Sequence, residues 1–263
     1  MVGSALKTPA PGSLSAKLLD AALNPTAADE STSYSFRIIA GSYERLLYGL
    51  NADDDEEKDV NAIQPVFIYP AHITAIRCLA VSNNLLATGA SDEHVKVYNL
   101  HSRSEVGSLL HHSGTITSVC FYKKSWIITA AEDGMIALVR VRDWALVKEL
   151  SGHRGAVTAL AMHPSGKLLL SAGRDGTLKL WDLTKGSCAY SMKLPHVADK
   201  LVWHPDGNMY VVLMDRLVQV YATTGGTYGI SFRQRINGIA FAPALEDGSE
   251  DRVLFAAGED KHI

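Results

Sequence analysis

The segment HRGAVTALAMHPSGKLLLSAGRDGTLKLWDL, at residues 153–183, alternates short apolar runs with turn residues. Val157, Ala159 and Ala161 alternate with other side chains, and a period of two is that of a β-strand. The tripeptide Pro-Ser-Gly at 164–166 is typical of a turn, and the apolar run LLLSAG follows it. A third run, TLKLWDL, comes after an Asp-Gly pair. The segment therefore predicts consecutive β-strands joined by tight turns.

Two earlier segments have the same organisation, namely HITAIRCLAV with LLATGASDEHVKVYNL and HSGTITSVCFY with WIITAAEDGMIALVRV. Each segment begins at a histidine, and His72, His112 and His153 are separated by 40 and then 41 residues. A repeat of this length is typical of one blade of a β-propeller. The sequence therefore predicts an all-β propeller.

Each of the three segments also places a hydroxyl residue four positions before a turn aspartate. These pairs are Thr88 and Asp92, Thr129 and Asp133, and Ser171 and Asp175. Six positions after the aspartates stand Tyr98, Val139 and Trp181, and Trp181-Asp182 is the dipeptide that names the WD-repeat family. The pattern resembles that family.

The resemblance to WD repeats implies a hydrogen-bonded tetrad across a blade. The residues assigned to it are His153, Ser171, Asp175 and Trp181 in one blade, His72, Thr88, Asp92 and Tyr98 in a second, and His112, Thr129 and Asp133 in a third. A buried imidazole or carboxylate without hydrogen-bond partners lowers the stability of the fold by about 1–3 kcal/mol. The four residues of a tetrad are therefore expected to satisfy one another's hydrogen bonds.

A fourth repeat follows, because the His-Pro-x-Gly turn of residues 163–166 recurs at 204–207. Four positions before Asp215 this repeat has Val211 where the others have a hydroxyl, so its tetrad is degraded. We expect this blade to depend on apolar packing and to be the softest complete blade.

The remaining repeats are incomplete. One precedes the others at 37–70, and another starts near Arg235 and breaks off in a hairpin. A partial blade, four full blades and a shortened one predict a seven-blade propeller at 36–263, with its C-terminal part missing from this sequence and lying beyond Ile263. Residues 1–35, rich in Ala, Ser and Pro, are predicted to be a disordered tail, with a partner-docking helix as the alternative.

Composition excludes several classes of protein. The 263 residues are 47% apolar and carry a formal charge of -3, and no apolar run reaches the roughly 18 residues of a membrane helix. The N-terminus lacks the apolar core of a secretory signal, which favours the nucleus or cytoplasm. Six acidic residues and one lysine at 53–59 predict an acidic loop. The loop is either solvated, or it binds a basic assembly factor or shields the protein against the wrong nucleic acid.

Four segments carry a closer resemblance to one known family: IIAGSYERLLYG, HHSGTIT followed by AEDG, HPSGKLLLS with DGTLKLWDL, and GNMYVVLMDRLVQVY. They are similar to the PAK-kinase-interacting WD-repeat proteins of the Mak-eleven type. The resemblance runs from about Phe36 to Ile263. It implies a noncatalytic factor that assembles the large (60S) ribosomal subunit in the nucleolus, with pre-ribosomal assembly factors and ribosomal proteins as partners. It also implies an alternative, the restraint of a PAK-type kinase by direct binding.

An enzyme is the third and least favoured hypothesis. The recurring offsets make the histidines and turn aspartates structural, and neither a GxSxG elbow nor a GxxxxGK loop is present. Cys78, Cys120 and Cys188 match no metal knuckle, and the first two are expected to be inert strand residues. We therefore expect no cofactor, no metal and no small-molecule substrate.

Partner contacts are expected on loops, because strands hold position while loops vary. The family resemblance favours the loop before each blade and the turn at its aspartate. The candidate partner-binding residues there are Glu93, His94, His111, Glu132, Arg154, Arg174 and Arg216. The alternative for each is a merely solvated side chain, and the sequence leaves open which propeller face is used.

Contact with an rRNA precursor is expected to involve phosphates rather than bases, since no RNA-binding motif or aromatic-basic ladder is present. The arginines that can reach phosphates are Arg140, Arg142, Arg154, Arg174, Arg233 and Arg235.

Overall fold

A computed structural model describes residues 36–52, 63–241 and 254–258, and every regular element in these ranges is a β-strand. The predicted N-terminal tail and the acidic loop at 53–59 lie outside the described residues. The chain divides into two compact units, Met1–Ile76 and Arg77–Ile263. None of the described residues belongs to a helix long and apolar enough to cross a membrane.

The first unit contains one antiparallel sheet, blade 1. Its strands are β1 (Phe36–Gly41), β2 (Leu46–Ala52) and β3 (Ile63–Pro70), paired in that order. Alternate residues of β2 face inwards, and Leu47 is fully buried. Between β1 and β2 the chain turns through Arg45, whose φ is 64°.

The second unit contains four antiparallel meanders of four strands each, followed by a hairpin. Blade 2 consists of β4 (Ile76–Ser82), β5 (Leu85–Ala90), β6 (Val95–Asn99) and β7 (Ser104–Leu109), and blade 3 of β8 (Ile116–Tyr122), β9 (Trp126–Ala131), β10 (Met135–Arg140) and β11 (Ala145–Ser151). Blade 4 consists of β12 (Val157–Met162), β13 (Leu168–Gly173), β14 (Thr177–Asp182) and β15 (Ser187–Lys193), and blade 5 of β16 (Lys200–Trp203), β17 (Met209–Met214), β18 (Leu217–Ala222) and β19 (Thr227–Ser231). Blade 6 is the pair β20 (Ile236–Phe241) and β21 (Leu254–Gly258). The predicted all-β repeat architecture is confirmed, whereas the total of seven blades stays a prediction.

The core of the second unit lies between consecutive blades. One buried cluster joins Val97 of blade 2 to Ile127 of blade 3, and another joins Ile128 of blade 3 to Leu169 of blade 4. Each large aliphatic side chain removed from water stabilises the fold by about 1.5–3 kcal/mol. The second strands are therefore almost wholly buried, while the fourth strands β15 and β19 are exposed.

The meanders give each blade two edges. The loop before the first strand and the turn between the second and third strands lie at one end, which we call the histidine edge. The turns between first and second and between third and fourth strands lie at the other, the opposite edge. Tight turns at both edges need left-handed backbone, for example at Gly166 with φ 74° and at Gly176 with φ 69°.

In blade 5, the residue that is equivalent to Ser171 lies one position later than the sequence analysis expected. The turn between β17 and β18 contains only Asp215 and Arg216, whereas blade 4 has three residues there. Because of this shorter turn, Val212 rather than Val211 occupies the register position of Ser171. Both valines are fully buried, so apolar packing fills the place of the tetrad.

Candidate partner-binding edge

Blade 4 brings its four predicted tetrad residues into one hydrogen-bonded chain. His153, in the loop before β12, has Nε2 2.7 Å from Ser171 Oγ and Nδ1 3.1 Å from Asp175 Oδ2. The Trp181 indole N–H, from β14, donates to the same Ser171 Oγ at 2.8 Å. If Nδ1–H donates to Asp175, Nε2 accepts from the Ser171 hydroxyl, and every group is satisfied. The chain thus ties the loop, β13, the turn and β14 together.

Asp175 receives more hydrogen bonds than the tetrad alone supplies. It accepts from the backbone N–H of Arg154 at 2.9 Å, and from the N–H and hydroxyl of Thr177 at 3.0 and 2.7 Å. Burial acts to raise the pKa of Asp175, but these donors and His153 together hold it at about 2. The carboxylate is therefore ionised and fixes the Arg154 backbone in place.

His153 is held mainly as the neutral imidazole. Burial lowers its pKa below the ordinary 6.5, and the nearby Asp175 carboxylate offsets only part of that effect. The role of this histidine is therefore to connect two neighbours by hydrogen bonds, which requires no charge on its ring.

Blade 3 repeats the arrangement without the indole. His112 lies 3.0 Å from Asp133 through Nδ1 and 2.8 Å from Thr129 through Nε2. Asp133 also accepts from the backbone N–H groups of Ser113 and Met135. Val139 takes the place of the tryptophan and is fully buried. The loop and the turn are again fixed by one carboxylate.

Blade 2 has a buried hydroxyl residue on its second strand and an aspartate in the turn that follows. Thr88 and Tyr98 are buried, and Asp92 accepts from the His94 backbone N–H at 3.3 Å. His72, in the first unit, is also buried, with 4% of its surface exposed.

The candidate partner-binding residues lie around these loops and turns at the histidine edge. Glu93, Arg154, Arg174, Glu132 and Arg216 are exposed, whereas His94 and His111 are partly buried. Arg174 lies 3.9 Å from Glu132, which pairs blade 4 with blade 3. The Nε2 atom of His111 is buried and has no hydrogen-bond partner among the described residues.

Blades 5 and 6 add an ion-pair cluster that the sequence analysis missed. Arg235 lies 3.4 Å from Asp199 and 3.7 Å from Asp215, and Arg216 lies 3.6 Å from Asp215. These residues border a cavity of about 700 Å³ that is also lined by His196. Asp199 and Arg235 are 36 residues apart, so no local sequence signal could have identified the pair.

The arginines proposed to meet phosphates are divided between the two edges. Arg140 donates to both carboxylate oxygens of Asp143 at 3.0 and 2.8 Å, at the opposite edge, where Arg142 is also exposed. Arg174 and Arg235 face carboxylates at the histidine edge. The six arginines therefore do not form one surface.

The described residues offer little for covalent or metal chemistry. Burial raises the pKa of Cys78 and of Cys120 to about 12, which suppresses their thiolates. Within the described ranges, no group of three or more His, Cys, Asp or Glu residues is placed to hold a metal ion.

The repeats match a known family model, "WD domain, G-beta repeat", at residues 63–99 and 144–182. The chain contains WD repeats. Its predicted resemblance is confirmed by relatives: "p21-activated protein kinase-interacting protein 1-like" of Gallus gallus is 36% identical over 228 residues, 86% of this chain and 59% of that protein. "Protein MAK11" of Saccharomyces cerevisiae is 36% identical over 157 residues, 52% of this chain and 38% of that protein.

A third relative, "Shk1 kinase-binding protein 15" of Schizosaccharomyces pombe, is 29% identical over 191 residues, 70% of this chain and 54% of that protein. The WD-repeat chain thus spans less than two thirds of the length of these curated relatives. WD-repeat proteins are typically noncatalytic scaffolds, and neither the family model nor these relatives indicate an enzymatic family.

Proposed function

We propose that this WD-repeat chain is a noncatalytic scaffold in the nucleolar assembly of the large ribosomal subunit. The observation that carries the proposal is the histidine edge, where buried His–Asp pairs fix loops that expose charged side chains. Similarity to MAK11 and the Mak-eleven-type segments supports the ribosomal process. Ribosomal proteins, pre-ribosomal assembly factors and rRNA precursor are the proposed partners.

In the proposed mechanism, charged side chains bind partners from loops whose backbone is fixed by hydrogen bonds. Asp175 holds the backbone of Arg154 in the loop before β12. Arg174 precedes Asp175 in the turn between β13 and β14, and 65% of its side chain is exposed. A partner that meets fixed side chains loses less conformational entropy on binding than one that must first order them. Complementary charge then adds to the association rate and to specificity.

The first experiment sediments a nuclear extract containing the tagged full-length protein on a density gradient. Fractions are probed for the tag and for large-subunit rRNA precursors. Co-sedimentation that RNase disperses is expected. Protein that stays in light fractions free of precursor RNA contradicts the ribosomal assignment.

A charge-reversal pair tests the histidine edge itself. Arg154→Glu with Arg174→Glu is expected to lose protein partners that remain bound to the wild type after RNase treatment. The matched control is Lys123→Glu with Lys124→Glu, an equal charge change at exposed positions of the opposite edge. Equal loss by both pairs, or no loss by the arginine pair, removes the histidine edge as the protein-binding surface.

A kinase-binding inhibitor is the second candidate function. It is favoured by the names of the Gallus gallus and Schizosaccharomyces pombe relatives, which are described as kinase-interacting and kinase-binding. The test mixes the purified protein with a PAK-type kinase domain and measures binding and phosphate transfer. Binding with reduced transfer supports this function, and the absence of binding rejects it.

A further inference from the structure

The opposite edge of blades 3 and 4 has an excess of positive charge. Five cationic side chains are exposed there, in turns between strands, and we call them the lysine surface. They are Lys123, Lys124, Arg142, Lys167 and Lys185. None of them is a candidate partner-binding residue of the histidine edge, although Arg142 is one of the arginines expected to reach phosphates.

The turns that carry these side chains are bound to one another. Ser82 of blade 2 donates its hydroxyl to the Lys123 carbonyl at 2.7 Å, and Tyr122 of blade 3 donates to the Pro164 carbonyl of blade 4 at 3.2 Å. His163 Nε2 lies 3.2 Å from the Gly207 carbonyl of blade 5. The first turns of four blades therefore form one continuous row, and the lysines project from a fixed backbone.

Few carboxylates oppose this charge. Asp143 accepts hydrogen bonds from Nε and one Nη of Arg140. Asp182 accepts backbone N–H bonds of its own turn and lies 3.8 Å from Lys185. Lys123, Lys124 and Lys167 have no carboxylate within ion-pair distance among the described residues.

The histidine edge has a different balance. There Arg174 faces Glu132, Arg216 faces Asp215, and Arg235 faces both Asp199 and Asp215. A polyanion approaching that edge would meet carboxylates next to each of these arginines. At the opposite edge it meets uncompensated amines, so the two edges favour partners of different charge.

We propose that the lysine surface binds the phosphodiester backbone of RNA without reading its bases. Lysine amines act as point charges that phosphates neutralise, with release of counterions. Contacts to phosphate alone fix the position of a nucleic acid but carry no sequence information. The choice of RNA over another polyanion rests on the proposed role in ribosome assembly.

The test measures binding of the purified full chain to a short fluorescent single-stranded RNA of mixed sequence, over a series of salt concentrations. The variant combines Lys123→Gln, Lys124→Gln and Lys167→Gln. The matched control combines Arg77→Gln, Lys193→Gln and Lys200→Gln, three exposed cations on strands that belong to neither binding edge. Each single-stranded phosphate contact contributes about 0.7 to the slope of log affinity against log salt, so the lysine variant should lose about 2 from that slope.

We expect the lysine variant to bind RNA at least about tenfold more weakly at low salt, and the control variant to remain close to the wild type. Thermal melting of both variants checks that the fold is unchanged. Equal weakening in both variants, or an unchanged slope in the lysine variant, overturns the proposal. Binding of polyglutamate as tight as that of RNA overturns the choice of RNA.

The gradient experiment separates this inference from the proposed function. If the wild type co-sediments with precursor RNA but the lysine variant binds RNA normally, the lysine surface is wrong and the scaffold function stands. If the lysine variant loses RNA binding while the wild type stays in light fractions, the surface stands and the ribosomal function fails.

Discussion

Asp175 is the residue on which the geometry of the histidine edge in blade 4 depends most. Its carboxylate accepts from Arg154, Thr177 and His153, so replacing it leaves several donors without a partner. We expect Asp175→Ala to destabilise the protein by about 1–3 kcal/mol, measured by urea unfolding. The control is Asp206→Ala, at a side chain that is 53% exposed, and it should lower the free energy of unfolding much less. An unchanged midpoint for Asp175→Ala contradicts the assigned role.

Acid should weaken the same site. The pKa of Asp175 is about 2 in the folded protein against an ordinary 3.8, so its stabilising effect is complete above about pH 5 and is lost as pH falls towards 2. The pKa of His153 is lowered by burial below 6.5, so the unfolded chain takes up the proton first as pH falls through that value. Both effects reduce the free energy of unfolding in acid.

Asp175→Asn isolates the carboxylate contribution. Its stability deficit relative to the wild type should narrow as pH falls from about 5 towards 2, because the wild type loses the charge that the variant already lacks. Urea titrations at several pH values measure the deficit. A deficit that is constant or grows in acid contradicts the linkage.

The sequence predicted which residues meet at this site but not all of their contacts. Fixed offsets that recur in other segments marked these positions, and the resemblance to WD repeats implied that His153, Ser171, Asp175 and Trp181 meet. The Thr177 hydroxyl and the Arg154 N–H could not be predicted in this way. Their approach to the carboxylate depends on the backbone conformation of one loop and one turn, which residue types alone do not determine.

At the scale of strands and turns, neighbouring blades are joined through the first turn of each. Gly166, with φ 74°, lies against the ring of Tyr122 from blade 3, whereas Gly225, with φ 93°, has open space where a Cβ would be. Left-handed backbone costs an alanine about 1–2 kcal/mol at either position. Gly166→Ala should lose about 1–3 kcal/mol more than Gly225→Ala, because its methyl group overlaps the tyrosine ring.

Thermal or urea unfolding of the two glycine variants measures this difference. Gly166→Ala in a Tyr122→Leu background should recover part of the additional loss, since the smaller side chain leaves room for the methyl group. Equal destabilisation by the two alanines would show that the Tyr122 contact does not restrict this turn.

The period of 40 and 41 residues was sufficient to predict the blades but not their exact register. In blade 5 the turn at Asp215 is one residue short, so counting back from that aspartate selects Val211, while strand pairing selects Val212. A deletion inside a turn changes no apolar pattern on either side. Only the pairing of β17 with β18 reveals it.

At the scale of the whole second unit, two cysteines can report its opening. The thiol of Cys78 lies 3.8 Å from the Ile116 carbonyl of the neighbouring blade, and burial raises the pKa of both Cys78 and Cys120 to about 12. Cys188 is exposed. In the native protein we expect only Cys188 to react quickly with a thiol reagent, and Cys188→Ser should abolish that fast phase.

Urea should then make Cys78 and Cys120 reactive together. Cys78 packs against the core between blades 2 and 3, Cys120 packs against the core between blades 3 and 4, and blade 3 contributes to both cores. Labelling rates measured against urea concentration test this, with Cys188→Ser as the background. A second thiol that reacts quickly in the absence of urea would contradict a single cooperative opening. So would labelling rates of Cys78 and Cys120 that depend differently on urea concentration.

The two proposed binding surfaces lie at opposite ends of the blades. Strands β9 and β13 contain six residues each, and at about 3.3 Å per residue they separate the edges by roughly 20 Å. Effects of substitutions this far apart, with no shared partner, usually add in free energy. RNA and a protein partner should therefore occupy the chain at the same time and independently.

This independence can be measured as the affinity of the purified chain for precursor particles. The lysine variant removes one binding surface, and the variant with Arg154→Glu and Arg174→Glu removes the other. A chain that combines them should lose affinity by the product of the two separate fold-changes. A combined loss equal to the larger single loss would mean that both sets of residues serve one contact. The product is expected because each surface projects from its own set of turns.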